Sequence, residues 1–129
     1  MNGEAQHARA VARDEQIQER VSEISEWWFK HANDAVMRTA PKAAEYGAAD
    51  LDIMAVAMVA LAGEKLDGAD EAERMAYGRF AACAFYAMGK AARIFGALER
   101  GVLPGPDSEF DLEVYSVMMA RIRETGRWV

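Results

Sequence analysis

The chain has 129 residues, of which 52% are hydrophobic and 28% are charged, and its net charge is −6. This composition excludes global disorder and is typical of one folded domain. The longest uncharged apolar run, residues 53–62, is half of the roughly 20 residues that a membrane span needs, so we expect no membrane span. We also expect no signal peptide, and the single cysteine, Cys83, fits a reducing, cytoplasmic compartment.

The composition favours helix throughout, because alanine is the commonest residue, methionine is frequent and β-branched residues are few. We expect residues 1–8 to be a flexible N-terminus and residues 9–129 to form the helical domain. The first helix is predicted to run from about residue 9 to residue 38. Four apolar residues recur in it at spacings of four, three and four and share one face: Ile17, Val21, Ile24 and Trp28.

Turn signals divide the next part of the chain. Pro41 predicts the first turn of a second, short helix, which Gly47 ends. Asp50 is predicted to cap a further helix over about residues 51–62, which Gly63 ends. Because this helix is apolar nearly all round, we expect it at the centre of the bundle.

A capping signal and two glycines characterise the helix that follows. Asp70 with Glu73 resembles a capping box and predicts the start of a long helix that reaches about residue 99. Gly78 and Gly89 lie about three turns apart, so they share one face of this helix. Since each glycine costs ~1 kcal/mol of helix propensity, we expect a neighbouring helix to approach closely there.

Glycine and proline mark a loop over residues 101–106, after which Asp107 or Ser108 is predicted to cap a last helix that ends near Glu124. No stretch alternates polar and apolar residues for long enough to indicate a strand. The sequence therefore predicts an all-α, single-domain bundle of four to five helices.

The last helix carries one carboxylate within an apolar arc. At about 100° per residue, the apolar side chains between Phe110 and Ile122 span roughly 220°, and Asp111 falls near the middle of that arc. A carboxylate there costs several kcal/mol unless it is paired, protonated or bound to a metal. Either Asp111 faces a cation of the preceding helix, or it is the capping-box partner of Ser108, and the sequence leaves both open.

A basic stripe on the long helix is the second notable feature. Four cations lie within about 80° of one another on the helical projection, with Tyr86 between them: Arg79, Lys90, Arg93 and Arg100. One interpretation is structural, since these side chains would neutralise Asp111 and its neighbours. The other is functional, because ammonium and guanidinium groups bind phosphates.

A third feature is the charge around the turn between the short helix and the apolar helix. Residues 42–52 contain Lys42, Glu45, Asp50 and Asp52. Carboxylates that converge at a helix junction suit a hard cation such as Mg²⁺. The alternative is that Asp50 only caps a helix, while Glu45 and Asp52 are exposed.

Three segments resemble a group of small helical proteins encoded by phages of actinobacteria, most of which have no assigned activity: KAAEYGAADL (42–51), FYAMGKAARI (85–94) and DSEFDLEVYSVMMARIRETGRW (107–128). Their order is also similar to the nucleotide-modification-associated and MazG-like proteins. In those, a helix with lysine and arginine precedes a closing helix of the type D-x3-D-x3-Y. Lys90 and Arg93 match the first pattern, and Asp107, Asp111 and Tyr115 match the second.

The resemblance implies a nucleotide-binding protein, or a MazG-like enzyme that cleaves nucleoside triphosphates with Mg²⁺ held by carboxylates on facing helices. On this hypothesis four carboxylates would bind Mg²⁺: Glu45, Asp50, Asp107 and Asp111. Five other side chains would bind phosphate, base and ribose: Lys42, Tyr86, Lys90, Arg93 and Tyr115. The paired ExxE and ExxD of those enzymes has no well-placed counterpart here, so the resemblance also fits a related fold without catalysis.

The alternative function is a non-enzymatic module that binds a host protein or associates with itself. Aromatic residues often anchor such interfaces, and four are candidates, although ordinary core packing is the simpler explanation of them: Trp27, Trp28, Phe29 and Trp128. The net charge of −6 makes a nucleic acid an unsuitable partner for either function. If a phage encodes the chain, we expect it in the cytoplasm of the host cell.

Overall fold

A computed structural model describes residues 2–129, apart from the side chain of Tyr46. All regular elements in these residues are helical: α1 (Asn2–Tyr46), α2 (Ala49–Ala62), a 3-10 turn (Gly63–Leu66), α3 (Glu71–Glu99) and α4 (Pro106–Thr125). The prediction of an all-α fold with four to five helices is therefore confirmed.

Helix α1 is longer than the sequence predicts. It begins at Asn2 and continues through Pro41, so the prediction of two separate helices in this part of the chain is wrong. A proline inside a helix removes one hydrogen bond, here the bond that its N–H would donate to the carbonyl of Met37. The residues on both sides of Pro41 are good helix formers, mainly alanine, and they favour a continuous helix despite the missing hydrogen bond.

The residues form two compact units, one that ends at Arg38 and one that begins at Thr39. The first unit consists of α1 up to Arg38, and the second holds the end of α1 together with α2, α3 and α4. The division falls where the sequence predicts a break between helices. The flexible N-terminus over residues 1–8 and the helical domain over residues 9–129 stay predictions, and Met1 lies outside the described residues.

The helix starts agree only partly with the predicted caps. Asp70 caps α3, since its Oδ1 accepts a hydrogen bond of 2.8 Å from the backbone N–H of Glu73, as predicted. By contrast Ala48, and not Asp50, is the N-cap of α2, without a side-chain hydrogen bond. Gly105 takes that position in α4, so the predicted caps Asp107 and Ser108 are wrong as well. The proline after Gly105 fits a helix start, because an N–H at that position has no acceptor within the helix and its absence in proline therefore costs no hydrogen bond.

In the second unit α3 is the central helix, because it packs against α2 and also against α4. All three helices contribute to one cluster of buried residues in the core: Leu51, Ala82, Cys83 and Ile122. The expectation that α2 is central is wrong, since many of its large apolar side chains are exposed: Ile53, Val56 and Leu61. Helix α2 contacts α3 through one face only.

The contact between α2 and α3 depends on Gly78. A Cβ atom at this position would overlap the carbonyl oxygen of Ala55 and lie 2.9 Å from Cγ2 of Val59. The prediction of a closely approaching helix is therefore confirmed at Gly78. It is wrong at Gly89, where a Cβ atom would meet nothing within 4 Å.

None of the helices in residues 2–129 is by itself long and apolar enough to cross a membrane. Helix α1 and the segment Ala49–Leu66 satisfy the length and composition of a span only when they are counted together as a bent pair.

Gly78→Ala should lower the free energy of unfolding by about 1–3 kcal/mol, because the new methyl group forces α2 away from α3. The matched change Gly89→Ala should raise it by up to ~1 kcal/mol, since only helix propensity changes there. Urea denaturation followed by circular dichroism measures both. If the two variants shift in the same direction, the described approach of α2 is wrong.

Candidate functional site

The carboxylate of Asp111 pairs with a cation of α3. Nζ of Lys90 lies 2.9 Å from Oδ2 of Asp111, and the two side chains are 21% and 38% exposed. Of the two alternatives for Asp111, the cation of the preceding helix is confirmed. The capping box with Ser108 is wrong, because the start of α4 has no side-chain cap.

Two tyrosines lie one helical turn from this ion pair. The ring centroids of Tyr86 and Tyr115 are 5.6 Å apart, and the ring planes are inclined by 30°. Tyr86 precedes Lys90 by four residues and Tyr115 follows Asp111 by four, so both pairs obey one antiparallel register between α3 and α4. We call these four residues the α3–α4 cluster.

The environment of the α3–α4 cluster disfavours negative charge on Tyr86. Burial raises the pKa of Tyr86 above its ordinary value of 10.0, and the negative charges of Tyr115, Asp50 and Cys83 raise it further. The pKa of the buried thiol of Cys83 is raised to about 11 by burial. Because the thiolate is the nucleophile, this cysteine is not suited to covalent chemistry at neutral pH.

Arg79 forms a second polar contact, which the sequence did not reveal. Its Nε lies 2.7 Å from Oδ1 of Asp52, its Nη2 lies 3.3 Å from Oδ2, and its Nη1 donates a bond of 2.8 Å to the carbonyl of Gly126. Arg79 thus links α2, α3 and the end of α4. Asp52 is 27 residues away along the chain, so no local spacing signals the pair.

The other predicted site residues are exposed, and among the described residues none of them forms a hydrogen bond or an ion pair with the α3–α4 cluster: Lys42, Glu45, Asp50, Arg93 and Asp107. Asp50 influences the cluster only through its charge near Tyr86. Within residues 2–129, no three histidine, cysteine, aspartate or glutamate side chains are arranged to hold a metal ion. The predicted Mg²⁺ site therefore has no support from the geometry and stays a prediction.

The first unit carries a row of exposed apolar side chains on α1. Its four regularly spaced residues, which we call the α1 stripe, are between 42% and 65% exposed: Ile17, Val21, Ile24 and Trp28. Trp27 is exposed too and stacks on His31, with ring centroids 4.9 Å apart. Trp128, by contrast, packs against the core of the second unit.

Comparisons with known proteins add nothing to these observations, since no protein-family model, curated protein or solved structure matches the chain. The phage-type and MazG-like resemblances therefore stay predictions.

Asp52→Asn should lower the free energy of unfolding by about 1 kcal/mol, because it removes the charge that the guanidinium of Arg79 binds at a partly exposed site. Urea denaturation measures the change. Asp67→Asn, at an exposed carboxylate, is the control and should stay within ~0.5 kcal/mol of the wild type. Equal losses in both variants would show that the Arg79 contact does not stabilise the fold.

The raised pKa of Tyr86 predicts a late step in the tyrosine titration of the folded protein. Because the unfolded chain releases this proton near the ordinary pKa of 10.0, the free energy of unfolding should fall as the pH rises above that value. Ultraviolet absorbance of tyrosinate follows the titration. Tyr86→Phe should remove the late step, whereas Tyr77→Phe should leave it in place, and the opposite result would refute the assignment.

Proposed function

We propose that the chain is a non-enzymatic helical interaction module that associates with itself through the α1 stripe. The observation that supports this proposal is the exposure of the α1 stripe on a long helix. Single exposed apolar residues are ordinary on protein surfaces, but a contiguous apolar patch indicates a binding surface.

The spacing of the α1 stripe is suited to contact with another helix. Alternating spacings of four and three residues keep the apolar side chains on one face, the pattern in which the side chains of one helix pack into the gaps of a second helix. Glutamates occupy the opposite side of α1 and can stay in water when the stripe is covered: Glu19, Glu23 and Glu26.

Exposed aromatic side chains surround the C-terminal end of the α1 stripe. Trp27 and Trp28 are 65% exposed, and Phe29 is 78% exposed. Consecutive helical residues point about 100° apart, so Trp28 lies in the α1 stripe and the other two flank it. Aromatic side chains are common anchors of protein interfaces, which supports a binding role for this part of α1.

A second copy of the chain is the partner that we infer. Most soluble assemblies are symmetric homo-oligomers, and a second copy supplies an equal set of exposed apolar side chains. A host protein remains the alternative partner, and the test below separates the two.

Nucleotide binding stays a prediction, and we find less support for it than for self-association. Lys90 lies 2.9 Å from Asp111, so a phosphate at Lys90 would compete with a carboxylate already in contact. Arg93 is exposed, but a single arginine is a weak basis for nucleotide recognition.

Ile24→Lys should weaken self-association at least tenfold, because each copy would lose about 1.5–3 kcal/mol of apolar burial in the interface. Sedimentation equilibrium over a range of concentrations measures the dissociation constant. Ala12→Lys adds the same charge at an exposed position away from the α1 stripe and should leave the constant unchanged.

Circular dichroism of both variants establishes that the helices are retained. A wild-type chain that stays monomeric at every concentration would refute self-association. Equal weakening by Ile24→Lys and Ala12→Lys would instead refute the role of the α1 stripe.

A further inference from the structure

The pattern of the α1 stripe continues for one position at each end. Asp14 precedes Ile17 by three residues, and His31 follows Trp28 by three. At about 100° per residue, both end positions lie within about 50° of the middle of the stripe. Asp14 is exposed, and His31 is partly buried and stacks on the ring of Trp27. We call the stripe with these two ends the extended stripe, which is acidic at one end and has an imidazole at the other.

The extended stripe is symmetric about its midpoint, which lies between Val21 and Ile24, because Asp14 and His31 lie equally far from it. If two α1 helices pack antiparallel about a twofold axis at this point, Asp14 of each copy meets His31 of the other. The imidazole N–H can then donate to the carboxylate. A parallel pair would place like groups against each other, which opposes association, so the ends favour the antiparallel pair.

The residues along one edge of the extended stripe favour the same direction. They recur every seven residues and are all exposed: Arg13, Arg20, Trp27 and Asp34. In an antiparallel pair the matching edges of the two helices run side by side in opposite directions. Arg13 of one copy then lies beside Asp34 of the other, and Arg20 lies beside Trp27. The first contact joins opposite charges, and the second places a guanidinium against an aromatic ring.

The glutamates of this part of α1 do not face the second helix. Four of them lie more than about 120° from the middle of the stripe: Glu15, Glu19, Glu23 and Glu26. They stay in water on the outer sides of the pair, where salt screens their repulsion. The charges that come into contact are therefore those of the extended stripe and its edge.

We propose that two copies of the chain associate through an antiparallel pairing of their α1 helices, centred between Val21 and Ile24, with Asp14 of each copy against His31 of the other. This inference rests on the proposed self-association and specifies which surface covers the α1 stripe. The same residues contribute from both copies, as a twofold axis requires. All of them belong to the first unit.

Disulfide cross-linking in the full-length chain tests the direction of the pair. Ala10 and Ala35 continue the spacing of the extended stripe and lie equally far from its midpoint, roughly 37 Å apart along the helix. In the antiparallel pair, position 10 of one copy lies next to position 35 of the other. A mixture of Ala10→Cys and Ala35→Cys should therefore form a disulfide-linked dimer on oxidation, whereas neither variant should do so alone. The wild-type chain controls for the buried Cys83.

The outcomes separate this inference from the proposed function. A disulfide that either variant forms with itself would show a parallel pair and would overturn the inference. If the chains dimerise in sedimentation equilibrium and the mixture forms no disulfide, the inference is overturned and the proposed self-association stands. A wild-type chain that is monomeric at every concentration overturns both.

A charge reversal gives an independent test. Asp34→Lys places a lysine beside Arg13 of the second copy, so it should raise the dissociation constant about threefold to tenfold at low salt. Adding Arg13→Glu should restore the constant. The two positions are 21 residues apart on one helix, so they cannot touch within one chain, and a rescue reports contact between copies.

The matched control for this rescue is Arg93→Glu, which makes the same charge change at an exposed position of α3. Added to Asp34→Lys, it should leave the constant raised. Sedimentation equilibrium measures all the variants. The inference is overturned if Asp34→Lys has no effect, if Arg13→Glu does not restore the constant, or if Arg93→Glu restores it equally well, because the effect would then follow from net charge alone.

Discussion

The close approach of α2 to α3 at Gly78 is the constraint on which the second unit depends. Only a residue without a side chain lets the backbone of Ala55 come so near. The next residue, Arg79, then reaches Asp52 on α2 and the carbonyl of Gly126 beyond α4. Two consecutive residues of α3 thus set the positions of both neighbouring helices, one by steric fit and one by charged hydrogen bonds.

The same register accounts for the contacts of the α3–α4 cluster. With α3 held against α4, Lys90 meets Asp111 and Tyr86 meets Tyr115 at equivalent turns. The charges in the ion pair offset each other, and no third ligand for a metal accompanies Asp111 within residues 2–129. Ion pairs that are partly exposed contribute little stability, so this pair serves mainly to satisfy a carboxylate on a largely apolar helix face.

Features that follow from periodicity along one helix could be predicted, whereas features that depend on another helix could not. The helical projection placed Asp111 within the apolar arc of α4 and gave a cation of the preceding helix as one of its two possible partners. Gly78 and Gly89 share a face, yet of these two positions a neighbouring helix approaches closely only at Gly78. Local spacing also cannot reveal the contact between Arg79 and Asp52, because the two residues are far apart in sequence and meet only when the chain folds back.

The sequence could not predict that the α1 stripe is exposed, because a regular apolar face has the same residue pattern whether or not another helix covers it. Helix α1 has 45 residues, and helices in proteins owe most of their stability to the packing of an apolar face. In the first unit that face is exposed to water. Association through the α1 stripe would therefore stabilise the helix and form the interface at the same time, so binding and helix stability are coupled in this part of the chain.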